Sequence, residues 1–282
     1  MRRTLFQEAL KTRERLMSYK ILFIDVDDTL LKNDLTISPE NAEAIRLASS
    51  RGKKIVICSG RGIFGIKKYL DFLGTGGDEY VICLNGGIIY NYKTMEVVSE
   101  EFLPPLYSET ICRVGREFDI PTQGYFRDKL IIEKMYGVTG QYIKRMGISA
   151  VLVPDLAKYP RLSKILFTWD HERLKGVCER LMPLVSDEVS LVFSKPEYLE
   201  FTHKNATKGK AVESLCKRLG IGLDEAIAMG DGQNDKSMIT SAGLGVAVAN
   251  ACRELKDAAG YITKNTNETN AVKEVIEKFL LS

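Results

Sequence analysis

Three carboxylates fall within four residues at Asp25-Val26-Asp27-Asp28, directly after the apolar run Lys20-Ile-Leu-Phe-Ile24. Crowded carboxylates repel, and without a partner at least one is pushed towards its protonated form. A hard divalent cation relieves the conflict, because Mg²⁺ takes carboxylate and carbonyl oxygens. A solvated acidic turn would carry the same residues, so this segment alone does not decide.

A second acidic segment, Met229-Gly230-Asp231-Gly232-Gln233-Asn234-Asp235, also follows a short apolar run. Gly230 and Gly232 permit a tight backbone turn. Asp231 and Asp235 open the next helix, where an anion or a metal ligand is well placed. A βα loop with an acidic N-cap fits equally. Ser59-Gly60-Arg61 follows another apolar run. A hydroxyl plus backbone N–H groups opening a helix form a phosphate cradle, although a small polar turn would look alike. Thr207-Lys208-Gly209-Lys210 puts two lysines at a helix start. Cations there oppose the helix dipole unless an anion lies between them and the sheet.

The elements that must position these groups alternate. Lys20–Ile24, Lys54–Cys58 and Tyr80–Leu84 are apolar without alternation, as expected of strands buried on both faces of a parallel sheet. Ser38 suits an N-cap and Pro39 the first helical position, and that helix is expected to run to about Arg51. A second helix is expected near Gly62–Phe72. After the insert the rhythm resumes with strands at Tyr198–Thr202, Ala226–Met229, Gly245–Val248 and Tyr261–Ile262. Helices are expected at Lys208–Leu219, Asp235–Ser241 and Asn270–Leu281. Strands alternating with helices predict right-handed βαβ units.

Between them lies a different pattern. Strands are expected at Ile88–Tyr92, Met95–Glu100, Leu130–Glu133, Leu162–Trp169 and Leu191–Phe193, with helices near Leu106–Phe118, Gly140–Met146 and His171–Leu184. The expected organisation is therefore an N-terminal extension at 1–18, a discontinuous Rossmann-like α/β core at 19–86 and 198–282, and an inserted α+β domain at 87–197. In such a sheet, ligands bind at the carboxyl ends of the strands. All three polar strand-end segments then converge on one crevice, joined by Lys208. Acids, a cation, a hydroxyl and a lysine together make a phosphoryl-transfer site.

Asp25-Val-Asp27-Asp28-Thr29-Leu30, Ser59-Gly60-Arg61, Lys208-Gly209 and Gly230-Asp231-Gly232-Gln233-Asn234-Asp235 resemble the four motifs of the haloacid dehalogenase-like hydrolases. Their order and the α+β insert resemble the Cof-type branch with a C2-type cap. Asn85-Gly86, Val246–Ala251 and the closing Asn270–Val275 segment are similar to that branch as well. The resemblance spans about residues 19–282. It implies that Asp25 is a nucleophile forming an aspartyl-phosphate, and that Asp27 protonates the leaving alkoxide and later activates water. It implies Mg²⁺ held by the Asp25 carboxylate, the Asp27 carbonyl and Asp231, with Asp235 assisting through water. It further implies that Ser59, the Gly60 N–H, the Val26 N–H, Lys208 and Asn234 hold the phosphoryl oxygens. Many members carry glycine at the position of Asp28, and often Met-Gly-Asn-Ala where Val248-Ala249-Asn250-Ala251 stands here.

The implied activity is a Mg²⁺-dependent phosphatase for small phosphorylated metabolites, sugar phosphates first, with the insert over the crevice. Arg127, Arg161, Lys164 and Trp169 are candidate substrate contacts in that insert. A phosphomutase-like transfer to another hydroxyl would use the same nucleophile. A binding protein that had lost turnover would not need the full set Asp25, Asp27, Lys208, Asp231 and Asp235.

Composition agrees with an ordinary globular chain: 282 residues, 45% hydrophobic and 27% charged. A net charge of +3 is too mild to indicate nucleic acid. No apolar run approaches a membrane span, so a soluble protein is expected, as a monomer or small homo-oligomer. Six scattered cysteines without a C-x-x-C pair, and only two histidines, argue against structural zinc. Without a secretory apolar stretch, a cytoplasmic location is expected. Residues 1–16 read as a short helix preceding an alternative start at Met17.

Overall fold

The computed structural model describes residues 19–74 and 80–282; the expected N-terminal extension lies outside the described residues. The chain forms two compact units. One comprises residues up to Cys58, Phe72–Val81 and Lys208–Ser282; the other comprises Ser59–Asp71 and Ile82–Thr207.

The first unit is a Rossmann-like α/β layer. Its strands are β1 (Ile21–Asp25), β2 (Lys54–Cys58), β3 (Tyr80–Cys83, through Val81), β12 (Ala226–Gly230), β13 (Leu244–Ala247) and β14 (Tyr261–Ile262), in the order β14-β13-β12-β1-β2-β3. β1 runs parallel to both β2 and β12, and β13 lies parallel between β12 and β14. Every residue of β1 and of β12 is buried, as their unbroken apolar runs require. Helix α1 (Pro39–Ser50) starts where the Ser38 side chain accepts the Asn41 N–H at 3.2 Å.

The second unit carries α2 (Ile63–Leu73, through Asp71) and the antiparallel pair β4 (Ile88–Asn91) and β5 (Glu96–Glu100). It continues with α3 (Pro105–Glu117), β6 (Thr122–Phe126), β7 (Lys129–Ile132) and α4 (Gly137–Met146). β8 (Ala150–Leu152), β9 (Lys164–Thr168), α5 (His171–Leu181), β10 (Val189–Lys195) and β11 (Tyr198–His203) complete it. Its own sheet has the order β10-β11-β9-β6-β7-β8, antiparallel except between β7 and β8. Ile165, Phe167, Leu199 and Phe201 on one face pack with Ile111, Val114, Leu174 and Val177 from α3 and α5.

Two expectations need correction. Tyr198–Thr202, assigned to the core from sequence, pairs antiparallel with β9 and β10 inside the second sheet. Leu199 and Phe201 alternate with polar neighbours, the mark of a strand with one buried face. The insert therefore closes at Thr207, where the first unit resumes with α6 (Lys208–Leu219). Strands β6 and β8 were not expected. β6 reads Thr-Gln-Gly-Tyr-Phe and lacks an apolar run, while β8 has only three residues.

The Phe167 ring meets Phe201 edge to face at 4.9 Å, and both side chains are fully buried. Phe167→Ala should therefore destabilise the protein by about 3–5 kcal/mol, measured by urea denaturation. A loss below about 1 kcal/mol would show that this pair does not anchor the insert's core.

Candidate active site

The carboxyl end of β1 is where the first unit becomes polar. Asp25 ends the strand in register with Cys58, and Ile24 is in register with Met229 of β12. The chain then turns through Val26–Leu30. Asp27 is extended (φ −74°, ψ 133°) and Asp28 is left-handed (φ 57°, ψ 9°). Asp tolerates that region better than most residues, which accounts for an aspartate where glycine would also serve. Thr29 donates to Asp231 Oδ1 at 3.3 Å.

β12 delivers the second acidic turn. Asp235 is fully buried; its Oδ2 accepts the Asp231 and Gly232 N–H groups, each at 3.0 Å. Gly230 has to lack a side chain, because a Cβ there would lie 2.4 Å from the Asp235 carboxyl carbon. Gly209 answers a similar constraint in α6: its Cβ would meet the Ser237 carbonyl oxygen at 2.6 Å. That close approach seats α6 against α7 (Lys236–Ser241), with the Gly209 N–H donating to Ser237 Oγ at 3.0 Å.

Lys208 joins the two turns. Its ammonium is fully buried, donates to Asp235 Oδ1 at 2.6 Å and makes a short ion pair with Asp25. Asp25, Asp231 and Asp235 each offer an oxygen within 4.8 Å of the others. Burial pushes the Asp25 carboxyl well above its ordinary pKa; Asp235 and Asp231 add to the rise, and Lys208 opposes it. Burial, Asp235 and Asp28 together raise Asp231 to about 7. Burial works against the Lys208 charge, yet the Asp235 and Asp25 carboxylates hold its pKa above the usual lysine value. One ammonium does not balance three carboxylates, and this surplus of hard oxygen donors fits a divalent cation.

The structure thus gathers Asp25, Lys208 and the Asp231/Asp235 pair from three separate segments of the sequence. Val26 and Asp27 follow Asp25 in the turn, and Asn234 lies on the surface one residue before Asp235. Ser59 and Gly60 belong to the second unit. There the buried Ser59 accepts the Arg61 N–H on its hydroxyl at 3.1 Å, and its own N–H donates to Ile82 O at 2.8 Å. The Cβ direction of Gly60 faces the Asn85 side chain. Among the suggested insert contacts, Lys164 is buried against Glu200 at 2.7 Å, and Arg161 lies 3.7 Å from Glu100. Arg127 and Trp169 sit in cation–π contacts with Phe126 and Arg173.

Residues 22–276 match the family model of the haloacid dehalogenase-like hydrolases. The chain belongs to this family. Its similarity to Cof-type members extends over nearly all its length. YxeH of Bacillus subtilis (strain 168), which carries the provisional name of a phosphatase, is 32% identical over 94% of this chain and 99% of its own. The 5-amino-6-(5-phospho-D-ribitylamino)uracil phosphatase YwtE of the same strain is 28% identical, covering 93% and 98%. A haloacid dehalogenase-like hydrolase from Bacteroides thetaiotaomicron has the same fold, with a TM-score of 0.85 and 28% identity, covering 92% of this chain and 99% of its own. The chain is a haloacid dehalogenase-type phosphatase with a Rossmann-like core and an inserted cap.

Lys208→Met would leave the three carboxylates without an ammonium. Removing one partner of a buried ion pair costs about 3–5 kcal/mol, so the variant should be destabilised by that order at pH 7. A carboxyl whose folded pKa is raised binds protons more tightly folded than unfolded, so it makes stability fall as pH rises. Without the ammonium the carboxyl pKa values rise further, so the deficit relative to wild type should be largest at alkaline pH and shrink as pH falls towards the wild-type Asp231 value of about 7. Urea titrations across that range check this; a pH-independent deficit contradicts it.

Proposed function

We propose that this phosphatase hydrolyses small phosphate monoesters, sugar phosphates or similar metabolites, with Mg²⁺ bound, through an aspartyl-phosphate on Asp25. The observation that carries the reading is the meeting of buried Asp25, Lys208 and Asp235 with half-buried Asp231. The Asp25 and Asp231 carboxylates and the Asp27 carbonyl would hold Mg²⁺, with Asp235 behind them. When bound, the cation neutralises phosphoryl oxygens and keeps Asp25 ionised.

In this reading an Asp25 oxygen attacks phosphorus, and the new O–P bond forms as the ester P–O bond breaks. Asp27 gives its proton to the departing alkoxide. The Asp27 carboxylate then takes a proton from water, whose oxygen attacks the same phosphorus. The Asp25 O–P bond breaks, releasing inorganic phosphate and restoring both carboxyls. Lys208, Asn234 and the Val26 N–H group orient the phosphoryl oxygens. Lys208 also holds the nucleophile, because its ammonium pairs with Asp25.

A phosphorylated ribityl compound is the substrate in the name of YwtE, a relative of this chain, and it supports polyhydroxylated phosphate esters as the class. Transfer to a second hydroxyl would require an acceptor, and phosphate release without one favours hydrolysis. Six free cysteines are consistent with a cytoplasmic protein. No helix among the described residues is long and apolar enough to cross a membrane.

A panel of phosphorylated metabolites, assayed with Mg²⁺ and with EDTA, tests the reading. Phosphate release should require Mg²⁺ and return when the chelator is titrated out. Asp25→Asn should lose at least about a thousandfold in turnover while staying folded. Mg²⁺ should also raise the wild-type melting temperature. Undiminished turnover in EDTA, or in Asp25→Asn, would overturn the assignment.

A further inference from the structure

The turn that follows the proposed nucleophile has an external strut. Its left-handed residue, Asp28, presents a carbonyl that accepts the Asn250 Nδ2–H at 2.7 Å. The other end of the same amide, Asn250 Oδ1, accepts the Asn267 N–H at 3.0 Å. Asn267 is buried, and its own amide donates to Leu31 O at 3.0 Å, just past the turn. One residue beyond Asn267, Glu268 accepts the Asn33 N–H at 2.6 Å. The turn is thus gripped at its middle and just past its end from the C-terminal part of the chain.

Asn250 also lies in a segment bonded to the second acidic turn. The Val248 N–H donates to Gly230 O at 3.1 Å, and the Cys252 N–H donates to Asp231 O at 2.9 Å. Residues 248–252 therefore span both acid-bearing turns, and Asn250 is the side chain that reaches from that span to the first. A carboxamide is the fitting group, because it donates at one end and accepts at the other. Asn250 is exposed, so core packing does not account for it.

We propose that Asn250 is a positioning residue for the phosphatase reaction, fixing the Asp28 turn and through it the aim of Asp27. The proposal rests on the roles given above to Asp25 and Asp27. A proton donor held one residue from a left-handed position depends on that turn keeping its shape. Misplacement by about 1 Å can cost on the order of a hundredfold in rate. Substrate binding depends on other groups, so the effect belongs to turnover.

Asn250→Asp keeps the acceptor for the Asn267 N–H but sets an oxygen against the Asp28 carbonyl. Asn250→Ala removes both bonds without adding charge. With para-nitrophenyl phosphate and saturating Mg²⁺, both variants should lose about tenfold or more in kcat, with KM within about threefold of wild type. Their melting temperatures should stay within a few degrees, since exposed side chains contribute little to stability. Wild-type kcat in both variants overturns the proposal, as does a kcat loss that only tracks unfolding at the assay temperature. Those results leave the active-site reading standing. Wild-type protein that releases no phosphate from this ester or from the metabolite panel overturns both.

Discussion

The buried ammonium of Lys208 is the constraint around which the first unit is arranged. Its partners Asp25 and Asp235 lie 183 and 27 residues away in sequence. Charges in a protein interior are stable only when paired and hydrogen-bonded, and like charges at this spacing resist assembly. The backbone has to supply what the side chains lack. Asp235 fills one oxygen with two N–H groups from its own turn, and Lys208 takes the other. That arrangement needs Gly230 without a side chain and α6 seated closely at Gly209.

This explains why adjacent parallel strands are the right scaffold. β1 and β12 are direct neighbours in register, so their carboxyl ends emerge side by side. Both are buried on each face, so neither end can shift without disturbing the packed layer. Positional precision comes from the apolar runs, whereas charge complementarity comes from the turns. The long insert costs this arrangement little, since loop-closure entropy grows only with the logarithm of length.

Much of this was legible because the informative strands are continuous apolar runs ending in acids. Ile21–Asp25 and Ala226–Gly230 show both features at once, and the acids' common site follows from strand-end geometry. What escaped reading was carried by weaker signals. Tyr198–His203 follows the insert and precedes a core helix, so position suggested the core; its alternation, with Leu199 and Phe201 inward, pointed to a half-buried strand. β6 buries Gln123 and contains Gly124, which disguise it as a loop. The Asn250 strut was unreadable in another way. An asparagine in a loop says nothing of its partners until the chain brings Asp28 beside it, 222 residues away.

The second unit divides its sheet between two chemistries. The face carrying Phe167 and Phe201 is an apolar core with α3 and α5. On the opposite face Lys164 pairs with Glu200, Gln123 donates to Thr168 at 2.8 Å, and the Tyr125 and Tyr142 hydroxyls share a hydrogen bond. The Oε1 of Gln123 is buried without a partner among the described residues. Replacing such groups by apolar ones of similar volume is commonly neutral or stabilising, and an unmet buried acceptor costs about 1–3 kcal/mol. Cohesion of the unit accounts for the first face. The second face is held by mutual pairing of its ionic, amide and hydroxyl groups instead.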